Sequence, residues 1–561
     1  MNAKHTLLFS AVALSLAACG GSSSDDNAEI ENSAPHSIQL SASAVSENQA
    51  GVDIGQLSAT DADGDSLTFV LAAGADDRFK IDGNQLSLKQ DIQLDFESET
   101  SISLPITVSD GTAQTTETVT VQVTDELEVY AFASKFDSSE SSVSYTGQIA
   151  RHVLIAELNN YIDSQLAQDL NNQVVTNEAE ILAKLHAYYY NPDNAPTGVD
   201  VAAVLDADIS FIDNPEQADI NAISSGKNLQ DKIAGNDATG QHKNWNEGIA
   251  FVGFDATFMT GFDNTPEGLV LALFKKLASN AMVEFYTNSS VDTPYVTPTG
   301  IDLKQLIQKF LLMSVAYSQG TDDYLDDDTE GKGLLSSNVQ GDAAYTSLEH
   351  QWDEGFGYFG AARDYLAYDD ATLASSAAQD ANQDNLIDLT SEYNFGQSVN
   401  AAKRDVGSNG ETDFTAEAMT AFIKGRALIN QYAGTELTSA QLEALQGYRD
   451  QAVLAWEKAI AATVIHYIND THADVSKIGT AEFSLADTAK HWSELKGFLL
   501  GLQFNPRSPL SDTDFAQVNT LVGNQPVTVQ VEQTAYLEAL ISARDILQAA
   551  YGFDSEVVAN W

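Results

Sequence analysis

With one cysteine, Cys19, in 561 residues, the chain cannot close an internal disulfide, so its folds must hold by apolar burial and, where acids gather, by bound ions. Basic residues are scarce too: 27 Lys and Arg stand against 81 Asp and Glu, a formal net charge of -54. A surface of that sign repels nucleic acid, which is therefore not expected as a partner, and keeps a protein soluble in salt. The bulk of the charge reads as salt adaptation, and only acids grouped at ligand spacing carry a specific message. Beyond the first residues no apolar run is long enough to cross a bilayer. Catalytic signatures are missing as well: H-E-x-x-H, G-x-S-x-G, a phosphate-cradling glycine loop and a thiol nucleophile are not found. These absences disfavour an enzyme, and a helix-borne zinc peptidase above all.

What is present begins with an export pattern. Lys4 and His5 precede the apolar stretch Thr6 to Leu14, and Leu16-Ala17-Ala18-Cys19 leads into G-G-S-S-S-D-D-N. The L-A-A-C tetrapeptide resembles the bacterial lipobox, which implies cleavage before Cys19 and a lipid on its sulfur that tethers the protein to a membrane. Gly20, where inner-membrane retention calls for Asp, implies the outer membrane, with either its periplasmic or its exposed face open. The expected layout is a signal peptide over 1–19, a flexible tether over 20–35, a β-sandwich over 36–127 and an all-α domain over 128–561.

Residues 36 to 125 alternate apolar and polar side chains in S-I-Q-L-S-A-S, D-S-L-T-F-V-L, N-Q-L-S-L, S-I-S-L-P-I-T-V and E-T-V-T-V-Q-V-T, separated by Gly, Asp and Asn turns. Short strands at this spacing predict a small antiparallel sandwich. Its markers come in order: Ser46-Glu47-Asn48, Asp61-Ala62-Asp63-Gly64-Asp65, Leu94-Asp95-Phe96-Glu97, Val108-Ser109-Asp110-Gly111 and Thr124-Asp125. The series resembles a cadherin-like repeat. That resemblance implies calcium at Glu47, Asp95, Glu97 and Asp125, because a hard ion wants six to eight oxygens. A single repeat supplies only half of each inter-repeat site, and Phe96 stands where the family often has Arg. Without the resemblance the same acids read as capped, solvated turns.

From about Val129 the period changes. Gly147 to Leu166, Pro266 to Phe285, Leu303 to Ser318, Thr415 to Tyr432, Ser439 to Tyr467, Thr488 to Gly501 and Gln533 to Tyr551 carry apolar residues at three- and four-residue steps. The fold class is therefore multidomain, a β-sandwich followed by a large helical bundle with long polar loops.

Within the helical region one pattern, W-x-E-x-x-[GA]-[FY] with a His shortly before the Trp, is written three times: H-K-N-W-N-E-G-I-A-F from His242, H-Q-W-D-E-G-F-G-Y from His350 and H-W-S-E-L-K-G-F from His491. On a helix, His491 and Glu494 share a face, as do His350, Asp353 and Glu354. Imidazole and carboxylate at that spacing can hold iron, manganese or zinc between facing helices, so His350, Glu354, His491 and Glu494 are candidate metal ligands, the two helices facing each other across one ion. The competing reading is a satisfied core hydrogen bond with Trp and Phe as packing. His242 and Glu247 are five apart and do not share a face, so that copy reads as a packing echo. His466, in A-A-T-V-I-H-Y-I-N, reads first as a core histidine.

A second constellation is more specific. Asp380, Asn382, Asp384, the Leu386 carbonyl and Asp388 fall at positions 1, 3, 5, 7 and 9, with Asn385 at the turn position and Ile387 at position 8, as in the calcium loops of EF-hands and dockerins. Position 12 is Ser391, and Glu392 comes one residue late. The run from Asp322 to Asp328 has the charge but not the spacing, and reads as a solvated loop.

The helical region, with E-H-Q-W-D-E-G-F-G-Y-F-G, D-L-T-S-E-Y-N-F-G, A-A-K-R-D and K-H-W-S-E-L-K-G-F, resembles a family of bacterial surface lipoproteins that looks related to the imelysins. The resemblance implies a helical bundle, an H-x-x-E motif at His491 and Glu494, an association with iron uptake, and a transport or surface partner at the outer membrane. Three functions follow as expectations. The first is a lipid-anchored envelope protein that binds a transition metal or iron-bearing ligand. The second is a structural or adhesive surface lipoprotein with only structural calcium, and the third a metal-dependent hydrolase.

Overall fold

A computed structural model describes residues 31–561 except 48, 91, 95, 97–98, 125–127, 238–240, 247–249 and 340–342. The chain divides into two compact units, Met1–Glu126 and Leu127–Trp561.

The first unit is a sandwich of two four-stranded sheets. β1 (His36–Leu40), β3 (Asp53–Thr60), β6 (Gln85–Leu88) and β5 (Phe79–Asp82) form one, in that order. β2 (Ala44–Ser46), β8 (Gln114–Thr124), β7 (Ser101–Ser109) and β4 (Thr68–Leu71) form the other. Along β7 and β8 every second residue turns inward, so Ile102, Leu104, Ile106 and Val108 meet Val119, Val121 and Val123 in the core. This is the period-two pattern of a sheet with one buried face. The pairing is antiparallel except at the edge, where β2 runs parallel to β8 with Ala44 opposite Gln122. The acidic turns are made by side chains bonding their own backbone. Asp61 Oδ1 accepts the N–H groups of Asp63, Gly64 and Asp65 at 2.8–3.1 Å, and Asp110 Oδ1 accepts those of Thr112 and Ala113 at 2.6 and 2.7 Å.

The second unit is helical, and its axis is the 38-residue helix Ser439–Ser476. A capping box, Thr438 with Gln441, opens it. From Ala459 to Ile465 it is buried all round, as a helix must be when neighbours cover every face. Those neighbours are Gly396–Gly407, Phe414–Gln431, Leu485–Leu499 and Gln530–Tyr551.

The repeated Trp pattern sits on two of the helices, Ser347–Phe359 and Leu485–Leu499. In both the tryptophan is fully buried and its indole N–H is satisfied: Trp352 donates to the Phe422 carbonyl at 2.9 Å and Trp492 to that of Val522 at 3.2 Å. In both the glycine admits a neighbouring helix. A Cβ on Gly357 would lie 2.8 Å from Tyr145, and one on Gly497 would lie 2.6 Å from Lys309. The first copy is not helical where it is described, yet Trp245 still packs edge-on against Phe251 and Phe504.

The helix Leu303–Leu311 continues into two π-helical turns, Leu312–Tyr317 and Gly320–Tyr324. Gly320, at the start of the second turn, lets the Trp456 ring pack close, since that ring would lie 2.8 Å from any Cβ there. The turns carry Asp322 and Asp323 into the interior, and Asp326 follows just beyond; none is more than 4% exposed. This corrects the reading of 322–328 as a solvated loop. Spacing could not reveal that backbone N–H groups, Lys332 and Arg507 would meet these acids inside.

Candidate functional site

The loop from Asp380 to Glu392 is closed at its base by a bridge between Ala378 and Tyr393, with Gln379 N–H donating to the Glu392 carbonyl at 3.0 Å. Ile387 pairs outward with the strand-like segment at Pro215, through bonds to Asn214 and Glu216. Gln383 and Asn385 take φ of 60° and 69°, the left-handed geometry that Asn tolerates better than most residues. Inside this frame the polar side chains fold over one short stretch of backbone. Asp380 accepts the N–H groups of Asp384 and Asn385 at 3.1 and 3.0 Å, Asn382 accepts that of Asp384 at 2.9 Å, and Asp384 accepts that of Leu386 at 2.8 Å.

Glu392 is buried and reaches back across both ends of the loop, to Asn382 N–H at 3.3 Å and Asp388 N–H at 2.9 Å. The glutamate that comes one residue late along the chain is thus brought to the loop by its own side chain. Asp388 plays a different part. Its carboxylate accepts from Gln217, Thr390 and Ser391. Burial pushes its pKa up, but the Ser391 and Thr390 hydroxyls more than offset this and hold it below the usual carboxylate range. An oxygen-only set of this kind suits calcium, and Asp380, Asn382, Asp384 and Glu392 are the side chains able to supply it.

The two histidine–carboxylate pairs engage different surroundings. His350 Nε2 lies 3.7 Å from Glu354, but its Nδ1 is 3.0 Å from the Ser144 carbonyl, and Glu354 accepts from Gln148 at 2.8 Å. His491 turns to the long helix, with Nδ1 2.8 Å from Asp474 and Nε2 3.9 Å from Asp470. Asp470 also lies 3.3 Å from Nε2 of His466. Burial, then the charges of Arg404 and His491, lower the His466 pKa to about 3, so its ring stays neutral. Glu494 pairs with Lys309 at 3.5 Å. Among the described residues no ion pair or hydrogen bond joins the first pair to the second.

The most deeply buried charges on the helix Ser347–Phe359 are Asp353 and Glu349, both bound at 2.7 Å by Arg426, which also donates to the Ser142 carbonyl and hydroxyl. A desolvated ionic network like this is sustained only by complete hydrogen bonding. Nothing in the spacing of A-F-I-K-G-R-A pointed to Arg426. Glu457 is fully buried as well, but its oxygens accept from neutral groups, those of Ser508, Asn505 and Tyr551, and burial pushes its pKa up.

Of the acids implied by the cadherin resemblance, Glu47 is buried and accepts the Phe96 N–H at 2.6 Å. Asp95, Glu97, Asp125 and Cys19 lie outside the described residues, as does Glu247. A group of three ligand atoms mutually within 4.8 Å occurs twice among the described residues, at His242, Asp326 and Asp328 and at Asp370, Asp405 and Asp413. A surface hollow of about 800 Å³ lined by Phe258, Lys276 and Asn280 touches none of the residues singled out from the sequence.

Comparison with known proteins gives two family matches. The family described as "Domain of unknown function (DUF4856)" matches residues 129–521, and the one described as "Cadherin domain" matches residues 41–124. Curated proteins give no match. Among solved structures, human protocadherin-24 EC1-2 is similar at 24% identity over 18% of this chain and 48% of that one, with a TM-score of 0.16. Protocadherin gamma B2 extracellular cadherin domains 3–6 are similar at 22% over 16% and 23%, with a TM-score of 0.13. The chain spans less than half the length of either structure.

Proposed function

Because the chain belongs to the DUF4856 family through residues 129–521 and carries a cadherin domain ahead of it, we propose that it is a calcium-stabilised surface protein in which a cadherin-like unit presents the family's helical domain. A cadherin domain fits an extracellular or surface setting, and among the described residues no helix is long and apolar enough to cross a membrane. The observation that carries the calcium reading is the loop 380–392, where three oxygen-bearing side chains, Asp380, Asn382 and Asp384, fold over one turn and Glu392 closes it. The lipobox-like L-A-A-C adds a lipid anchor at Cys19 and an outer-membrane address to the proposal.

The test is a calcium titration. Binding to the folded state stabilises it by mass action, about 2.7 kcal/mol at a hundredfold excess over Kd. Added calcium should therefore raise the melting temperature, and Asp384→Ala should remove most of the gain. A full calcium response in that variant would reject the loop as the site.

A binding protein for iron or zinc, with His491 and Glu494 as ligands, is the second reading, favoured by the nearness of His466, Asp470 and Asp474 to His491. It requires His491→Gln with Glu494→Gln to abolish transition-metal binding while calcium binding persists.

A further inference from the structure

The two stretches with the weakest claim by spacing, the first Trp copy and the acidic run after the π-helical turns, meet each other in space. His242, Asp326 and Asp328 each offer one ligand atom within 4.8 Å of the other two, and His242 Nδ1 lies 3.4 Å from Asp328 Oδ2. We propose that these three residues form a site for a divalent transition-metal ion of the zinc or manganese type.

The placement is built in from several sides. Both oxygens of the buried Asp322 accept backbone N–H groups of the histidine's loop, from His242 at 2.9 Å and from Lys243 at 3.1 Å. Lys243 is fastened in turn by its Nζ to the Gln503 carbonyl at 2.9 Å. On the opposite wall the Asp326 carbonyl accepts Leu334 N–H at 2.8 Å, and Arg507 binds Asp326 Oδ1. The Asp326 side chain is only 4% exposed, and its other oxygen, Oδ2, has no hydrogen-bond partner. A buried carboxylate oxygen without a partner is costly, and a bound cation is one of the few ways to satisfy it.

The donor set then selects the ion. One imidazole and two carboxylates suit zinc, manganese or ferrous iron, whereas calcium takes oxygen alone. Arg507 neutralises one of the two carboxylate charges and leaves the other to the ion. His242 and Asp328 are each about half exposed, so the site opens on one side and leaves coordination positions for water or for a ligand from solution, the arrangement of a metal that does more than brace a fold.

Zinc is the probe. The full chain, with calcium saturating, is titrated with zinc chloride and the bound metal counted by equilibrium dialysis. The wild type should bind one zinc whose affinity falls by more than about tenfold in His242→Ala and again in Asp328→Asn. Both side chains are half exposed, so these variants should fold, which their unchanged calcium-dependent melting verifies. His491→Gln should bind zinc as the wild type does. Zinc binding that survives both substitutions, or that is lost with His491→Gln instead, overturns the site, as does a wild-type protein that takes up no zinc.

Discussion

Replacing Glu392 by Gln separates what the side chain does for the bare loop from what it does for calcium. In the structure the two oxygens of this buried side chain accept the N–H groups of Asn382 and Asp388 at 3.3 and 2.9 Å. The amide keeps one acceptor and turns an NH2 group toward the other donor, so one N–H of the loop loses its partner beside the buried side chain, at a cost of about 1–3 kcal/mol. Calcium adds a separate term. At a hundredfold excess over Kd it stabilises the wild type by about 2.7 kcal/mol, and a variant whose affinity has dropped more than a hundredfold receives almost none of it. The expected destabilisation is therefore about 1–3 kcal/mol in chelator and about 4–6 kcal/mol in calcium. Urea unfolding followed by tryptophan fluorescence is a suitable assay, because all five tryptophans lie between Trp245 and Trp561, in the helical unit. Equal destabilisation with and without calcium would refute the ligand role of Glu392 and leave it a structural brace.

Other outcomes follow from the same geometry. Gly425→Ala would place a Cβ 2.1 Å from the Trp352 ring, and overpacking of that order should cost about 1–3 kcal/mol or more, read as a lower urea midpoint. Arg426→Met leaves Asp353 and Glu349 buried without their cation, which should cost about 3–5 kcal/mol; a midpoint within error of the wild type would show that the network is dispensable. Burial lowers the Lys496 pKa to about 7, so between that value and the unfolded value near 10.5 the unfolded chain holds the extra proton and stability rises with pH. Compared with Lys496→Met, the wild type should gain about 1.4 kcal/mol per pH unit from pH 7 to 9, and parallel curves would contradict this. Cys19→Ser should abolish lipid labelling and free the protein from membranes, whereas unchanged membrane retention would reject the anchor.

Short-range features were legible because they depend on neighbours along the chain. The alternation in S-I-S-L-P-I-T-V became β7 with Ile102, Leu104, Ile106 and Val108 inward. The positions of Asp380, Asn382, Asp384 and Asn385 read as a calcium-type loop, and in the structure Asp380 and Asn382 accept backbone N–H groups of that same stretch while Asn385 takes the left-handed turn position. The Trp pattern was readable as a packing unit, since a buried indole, a small residue and an aromatic at helical spacing need only one helix to bring them together. Burial of charge was not legible. Whether an aspartate is solvated or enclosed depends on partners that arrive from elsewhere in the chain: Arg426 for Asp353, Arg507 for Asp326, and the His242 loop for Asp322.

By itself, then, the sequence determined a period-two unit followed by a period-3.6 unit, the acidic surface, the ligand-type spacing of 380–388 and the helix faces on which His350, His491 and their carboxylates lie. Only the tertiary structure decided which of these groups meet. It sent His350 to Ser144 and His491 to Asp474, and it drew Asp326 inside with one oxygen unpaired. It also set His242 beside Asp328 across 85 intervening positions of chain. The physical reason is that ligand geometry is a property of distance in space, and helix packing, here with Gly320 under Trp456 at the start of a π-helical turn, sets those distances by contacts that local periodicity does not encode.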